Sequence, residues 1–245
     1  MTKKTFLFDL DDTLMWNFHD YSFPLLDFTK LVMKRIGPKA PDLPTIINLQ
    51  AEIDSKKVKE WMTFGRGFCK ERFPTSMAET YQEICKSLNI NDAKGEKLAY
   101  QIGTRAFSIK RWKKQGLVPG AKEIFSYLKN KGDEIILITK GDEEIQKMKI
   151  SANNLELIFK EIYIVQTKNK ETLEECISKK NKNYIWHIGN SIKSDVLPAI
   201  DAKIGIIYIP METWKFEKEH ASIPKYNRLI KLENISQIKN IYSQL

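Results

Sequence analysis

A chain of 245 residues, 42% hydrophobic and 29% charged, has the composition of a globular protein rather than a disordered one, and its length allows one large domain or two modest ones. No apolar run reaches the roughly 18 residues of a membrane span and no long apolar leader opens the sequence, so no membrane attachment and a cytoplasmic location are expected. The net charge of +9 comes mainly from lysine spread along the chain, whereas arginine is the residue suited to bidentate reading of phosphates and bases; no specific nucleic-acid partner is expected.

The first predicted element is a buried strand in TFLFDL (5–10), and three carboxylates, Asp9, Asp11 and Asp12, crowd its end. From about 17 to 114 the sequence loses strand character. Val58, Trp61, Met62, Gly65, Phe68 and Cys69 recur at helical spacing in VKEWMTFGRGFCKERF, SMAETYQEICKSLN (76–89) repeats the pattern, and the prolines of GPKAPDLP (37–44) prevent a continuous helix. KRWKK (110–114) reads as a solvated helix end leading into a linker. PGAKEIFSYLKNKG (119–132) then predicts a helix stopped at Gly132.

Four more strands are expected in DEIILIT (133–139), EIYIV (161–165), NYIWHIG (183–189) and IGIIYIP (204–210), with helices at 142–152, 171–180 and 192–201 between them. Strands alternating with helices of this length make βαβ units and a parallel sheet. The expected fold is therefore α/β, a Rossmann-like parallel sheet core formed by 1–16 and 115–245, with a helical domain (17–114) inserted after the first strand.

Repulsion among the carboxylates after the first strand needs a compensating charge. Asp9 and Asp11 stand where open α/β sheets bind ligands, and oxygen ligands suit magnesium, which takes few carboxylates together with waters and substrate phosphate. In LITKG (137–141), Thr139 brings a hydroxyl and Lys140 a charge beside a helix start suited to an anion. Lys168 follows the third strand, and HIGNSIKSD (187–195) brings Asn190 and Asp195 after the fourth. Cys69, Cys85 and Cys176 are odd in number and without a C-x-x-C pattern, which indicates neither a disulfide framework nor a zinc site. His19, His187 and His220 are scattered and define no triad.

This ordered set resembles the haloacid dehalogenase-like hydrolase superfamily. Asp9-Leu10-Asp11-Asp12-Thr13-Leu14 is similar to its first motif, Thr139 to its second, Lys168 to its third, and Gly189-Asn190-Ser191 with Ser194-Asp195 to its fourth; the helical insertion lies where members carry a type 1 cap. GNSIKSDVLPAI and IPMETWKFE (209–217) look like a phosphatase-like subgroup. The resemblance implies that Asp9 attacks phosphorus, Asp11 acts as acid and base, and Thr139 and Lys168 hold the phosphoryl oxygens. It also implies that Asp9, the Asp11 carbonyl and Asp195 hold magnesium, with Asn190 in place of the more usual acidic residue. Lys170 competes with Lys168 for the third motif, and Lys168 is preferred because Leu173 then falls at an apolar helical position.

The implied activity is magnesium-dependent hydrolysis of a small phosphorylated metabolite. The alternatives are a 2-haloacid dehalogenase, which generally lacks the second aspartate, and a non-catalytic basic binding protein. Trp16, Trp61, Arg66 and Arg105 are the candidate substrate contacts near and within the insertion.

Overall fold

The computed structural model describes residues 2–178, 180–211 and 223–245. The chain separates into two compact units, Met1–Asn17 with Ile109–Leu245, and Phe18–Ser108.

The first unit is built on a six-stranded sheet. Its strands are β1 (Thr5–Phe8), β2 (Glu134–Lys140), β3 (Glu161–Val165), β4 (Ile185–Gly189), β5 (Gly205–Tyr208) and β6 (Leu229–Lys231), in the order β3-β2-β1-β4-β5-β6. Every pairing among the described residues is parallel. β1, β4 and β5 are buried along their whole length, as strands covered on both faces must be, which explains their continuous apolar character. On one face Leu7 joins Ile136, Ile138, Leu173, Val196 and Ile206. On the other, Phe8, Phe125 and Phe159 meet edge to face at centroid separations of 5.2–5.8 Å.

The strand order reverses direction between β1 and β4, and such a switch point opens a crevice at the carboxyl ends of the strands. Phe8 pairs with both Leu137 and Ile188, so Asp9 leaves the sheet between β2 and β4, with its N–H on the Ile188 carbonyl at 2.9 Å.

β6 escaped the sequence reading because it is three residues long and half-buried. Two expected helices differ from 171–180 and 192–201. The first is confined to Lys170–Cys176; the second divides into a π-helical turn at Ile192–Val196 and a short helix at Leu197–Asp201, where Pro198 sits in the first turn. KRWKK lies in the short helix Ile109–Gln115, assigned to the first unit; its three lysines are exposed, and Trp112 is its one buried side chain. Of IPMETWKFE, 212–217 lie outside the described residues.

The second unit is helical. After the entry helix (Asn17–Ile36) come helices at Leu43–Met62, Arg72–Ser87 and Ala93–Thr104. Asp42 caps the second through the Thr45 N–H, and Pro44 occupies its first turn, which is how the proline-rich segment starts a helix it could not continue. The helical period read across VKEWMTFGRGFCKERF stops at Met62: Gly65 adopts φ +71°, and the next helix begins at Arg72. Phe28, Val32, Ile46, Met77, Tyr81 and Ile84 form its core. Buried Arg72 pairs with buried Asp54, which also accepts from Ser76 Oγ at 2.9 Å. Among the described residues no helix is long and apolar enough to cross a membrane.

Candidate active site

Beyond β1 the chain turns at once. The Leu10 carbonyl accepts from the N–H groups of Leu14 (2.9 Å) and Met15 (3.0 Å), and Asp12 adopts φ +60°, a conformation Asp tolerates better than most residues. Asp12 thus serves the turn, while Asp9 and Asp11 bind separate partners.

Asp9 is 5% exposed and Asp195 1% exposed, and the fully buried ammonium of Lys168 donates to Oδ1 of both, at 2.8 Å in the case of Asp195. Lys170, by contrast, is exposed at the start of its helix. Burial and the one cation shared by two buried anions together set their acid strengths. Burial pushes Asp9 up to about 7 against the pull of the Lys168 charge. Burial would also raise Asp195, but Lys168 and a hydrogen bond from His187 outweigh it and hold Asp195 below the usual carboxylate range. Burial opposes protonation of Lys168, yet the charges of Asp195 and Asp9 prevail and raise it.

Asp195 reaches this place because of two local features. The Ser191 N–H donates to its Oδ2 at 2.9 Å across the π-helical turn. At Gly189, a Cβ would come within 2.2 Å of Asp195 Cγ, so only glycine leaves room for the carboxylate to lie over the end of β4. Asn190 is buried beside it, with its Oδ1 3.4 Å from Thr13 Oγ1.

Asp11 is bound differently. Lys149 Nζ donates to its Oδ1 at 2.7 Å and Gln146 Nε2 to its Oδ2 at 2.8 Å, both from the helix Glu143–Ala152. Lys149 also donates to Asn17 Oδ1 at 2.7 Å. Sequence reasoning missed this pair, although a signal existed: Gln146 and Lys149 share the buried face of that helix with Ile145 and Ile150, an unusual place for polar side chains. His187 was missed too. It is a polar residue inside an apolar strand, fully buried, with Nε2 3.0 Å from Asp195 Oδ1 and Nδ1 3.1 Å from the Leu7 carbonyl oxygen. Burial lowers its pKa, with the Asp195 hydrogen bond opposing.

Thr139 ends in a fully buried hydroxyl that has no hydrogen-bond partner among the described residues. Lys140 donates to Ser194 Oγ at 2.6 Å, beside Asp195. Trp16 is partly exposed at the end of the β1 turn. Arg66 and Arg105 belong to the second unit, where Arg66 pairs with Glu71 at 3.2 Å and lies 5.9 Å from the Trp61 ring, and Arg105 pairs with Asp27 at 3.0 Å.

The donors at this site are hard oxygens. Among the described residues no group of three or more His, Cys, Asp or Glu side chains converges as a metal cage. Two carboxylates with an amide and main-chain oxygens suit magnesium, which retains water and substrate ligands, better than zinc or calcium. The space beside Gly189 that holds the Asp195 carboxylate is consistent with that use.

The family model for haloacid dehalogenase-like hydrolases matches residues 54–209, a span that includes Thr139, Lys168, Asn190 and Asp195. No curated protein matches the chain. Among solved structures, a haloacid dehalogenase-like family hydrolase from Xanthomonas campestris is similar over 99% of this chain and 95% of its own, with a TM-score of 0.73 and 21% identity. A Bacillus subtilis protein described as a HAD-hydrolase bound to magnesium covers 99% and 100% (TM-score 0.63, 16% identity). A 2-haloacid dehalogenase from Pseudomonas syringae covers 99% of each chain (TM-score 0.59, 16% identity). At such identities the structural likeness speaks for the fold alone; the family model, matching more than half of the sequence, carries the assignment. The chain belongs to the haloacid dehalogenase-like hydrolases.

Proposed function

We propose that the protein is a magnesium-dependent phosphomonoester hydrolase that works through an aspartyl-phosphate at Asp9, on a small phosphorylated metabolite. The observation that carries this reading is the Thr139 hydroxyl, buried without a partner among the described residues at the carboxyl end of β2. A buried donor without an acceptor costs about 1–3 kcal/mol, and a phosphoryl oxygen at the mouth of the sheet would satisfy it.

Each residue then has a defined task. The Asp9 carboxylate attacks phosphorus, and the bond from phosphorus to the leaving oxygen breaks as Asp11 delivers a proton to that oxygen. Water next attacks the phosphorus of the aspartyl-phosphate, giving its proton to Asp11; inorganic phosphate leaves and Asp9 is restored. Lys168, shared by Asp9 and Asp195, keeps positive charge where the phosphoryl oxygens gather. Asp9, Asp195 and the Asp11 carbonyl would hold magnesium, with Asn190 beside them; when bound, the ion offsets the repulsion between these carboxylates and a phosphate dianion. The magnesium carried by the Bacillus subtilis neighbour supports that choice of metal. Asp11 favours phosphoester over haloacid chemistry, since a carbon–halogen bond needs no proton delivered to its leaving group.

Turnover of p-nitrophenyl phosphate with magnesium and with excess chelator tests the reading. Activity that requires magnesium and vanishes in Asp9→Asn supports it. Undiminished activity in chelator, or in a folded Asp9→Asn protein, rejects it.

A further inference from the structure

We propose that His187 is a positioning residue for Asp195, fixing the carboxylate orientation on which magnesium affinity depends; the inference rests on the magnesium role proposed above for Asp195. A carboxylate offers about four acceptor positions, two on each oxygen. On Asp195, Oδ1 accepts from Lys168 at 2.8 Å and faces His187 Nε2 at 3.0 Å, while Oδ2 accepts from the Ser191 N–H at 2.9 Å. Among the described residues one position stays open, on Oδ2. His187 therefore completes the occupation of Oδ1 and directs the remaining capacity of Asp195 to its other oxygen.

The other side of the ring faces the backbone that carries Asp9. Nδ1 lies 3.1 Å from the carbonyl oxygen of Leu7, two residues before Asp9 on β1. His187 thus stands between the backbone that carries Asp9 and the side chain of Asp195, at the switch point where its own strand pairs with β1. Both ring neighbours are acceptors; the bond to the carboxylate is the charge-assisted and stronger one, which places an N–H on Nε2. Asp195 is the charged partner that faces the ring, with Lys168 on the same Asp195 oxygen. With no exposed edge and an anion at one end, the ring is built in for that bond and not for solvent.

The test is calorimetric titration of magnesium chloride into the protein and its His187→Leu and His187→Gln variants, with circular dichroism and melting curves for each. Removal of a group that orients a metal ligand typically weakens affinity about 10–100-fold. His187→Leu, which keeps bulk and loses the donor, should bind magnesium at least about tenfold more weakly, and His187→Gln, which can still present an N–H near the Nε2 position, should recover part of that loss. If His187 only fills space, His187→Leu will bind within about twofold of the wild type, and the inference fails while the proposed function stands. Equal weakness of the two variants also overturns it, because the hydrogen bond would then not be the cause. Should His187→Leu not fold, the glutamine variant decides: an affinity close to the wild type upholds the role, and a loss as large as that of Asp195→Asn rejects it. A wild-type protein that takes up no magnesium rejects both the inference and the metal-dependent reading beneath it.

Discussion

The ammonium of Lys149 lies 2.7 Å from Oδ1 of Asp11, and its helix also sends Gln146 Nε2 to within 2.8 Å of Oδ2. Both oxygens of the proposed acid and base thus accept hydrogen bonds, which hold the carboxyl in one orientation. p-Nitrophenolate leaves with little need of a proton, so with p-nitrophenyl phosphate the half-reaction that depends on Asp11 is the second. Lys149→Met should therefore slow breakdown of the aspartyl-phosphate more than its formation, lowering steady-state turnover of p-nitrophenyl phosphate by about 10-fold or more, within the range of a general base. Rapid-quench detection of phosphorylated enzyme checks this. Accumulation of the intermediate is expected, and equal slowing of both steps would show that Lys149 supports the fold only.

Lys168 and Lys170 are two residues apart and have different consequences. Loss of Lys168 leaves Asp9 and Asp195 buried together without their shared cation, and breaking a buried ion pair from one side costs about 3–5 kcal/mol. Lys168→Ala should lose turnover and melt well below the wild type in chelator; Lys170→Ala, on an exposed helix start, should match the wild type in both measurements. The opposite pattern would move the third motif to Lys170.

These two cases show how much could be read from sequence. The parallel sheet and its strand ends were legible because β1, β2, β4 and β5 are continuous apolar runs and the polar residues that interrupt them cluster at their carboxyl ends. β6 has too few residues to form a pattern. The π-helical turn at Ile192–Val196 is set by Asp195 packing onto Gly189, a contact between side chain and backbone that no periodicity announces. Burial of Trp112 was hidden by its lysine neighbours: the lysines are exposed while the ring is buried, and composition averages the two. Gln146, Lys149 and His187 escaped for a related reason. Each is a polar residue on a buried face, and its meaning depends on which carboxylate the topology brings opposite.

At the far end of β2 from the site, Glu134 supplies a pH prediction. Burial would raise its carboxyl, but hydrogen bonds from Lys160 (2.7 Å) and Lys180 (2.6 Å) prevail and lower it to about 2, below its ordinary 4.5. A group depressed on folding stabilises above its unfolded pKa and loses that contribution as pH falls through the folded value. Lys160 is exposed and Lys180 partly open to solvent, so screening leaves only part of that contribution. Glu134→Gln should melt at a lower temperature than the wild type at pH 7, and the gap should close between about pH 4.5 and pH 2. Melting curves across that interval check it; a gap independent of pH would mean that packing, not charge, is at work. Turnover at neutral pH should be unchanged.

Gly189 gives the most local test of how the fourth strand builds the site. Its φ is not among the positive ones, so a side chain meets no backbone strain there, and the whole effect of a methyl group must come from contact. That contact is severe: the added carbon would lie 2.2 Å from Asp195 Cγ and 2.5 Å from its Cβ, and the second of these cannot move aside without the backbone. Overpacking of this kind costs about 1–3 kcal/mol, which a stable domain survives. Gly189→Ala should thus stay folded by circular dichroism and melt a few degrees lower, while Asp195 is forced off Lys168 and His187. Magnesium affinity and phosphatase turnover should then fall together, each by at least about 10-fold. A folded Gly189→Ala protein that keeps both would show that Asp195 need not lie over β4 for the site to work.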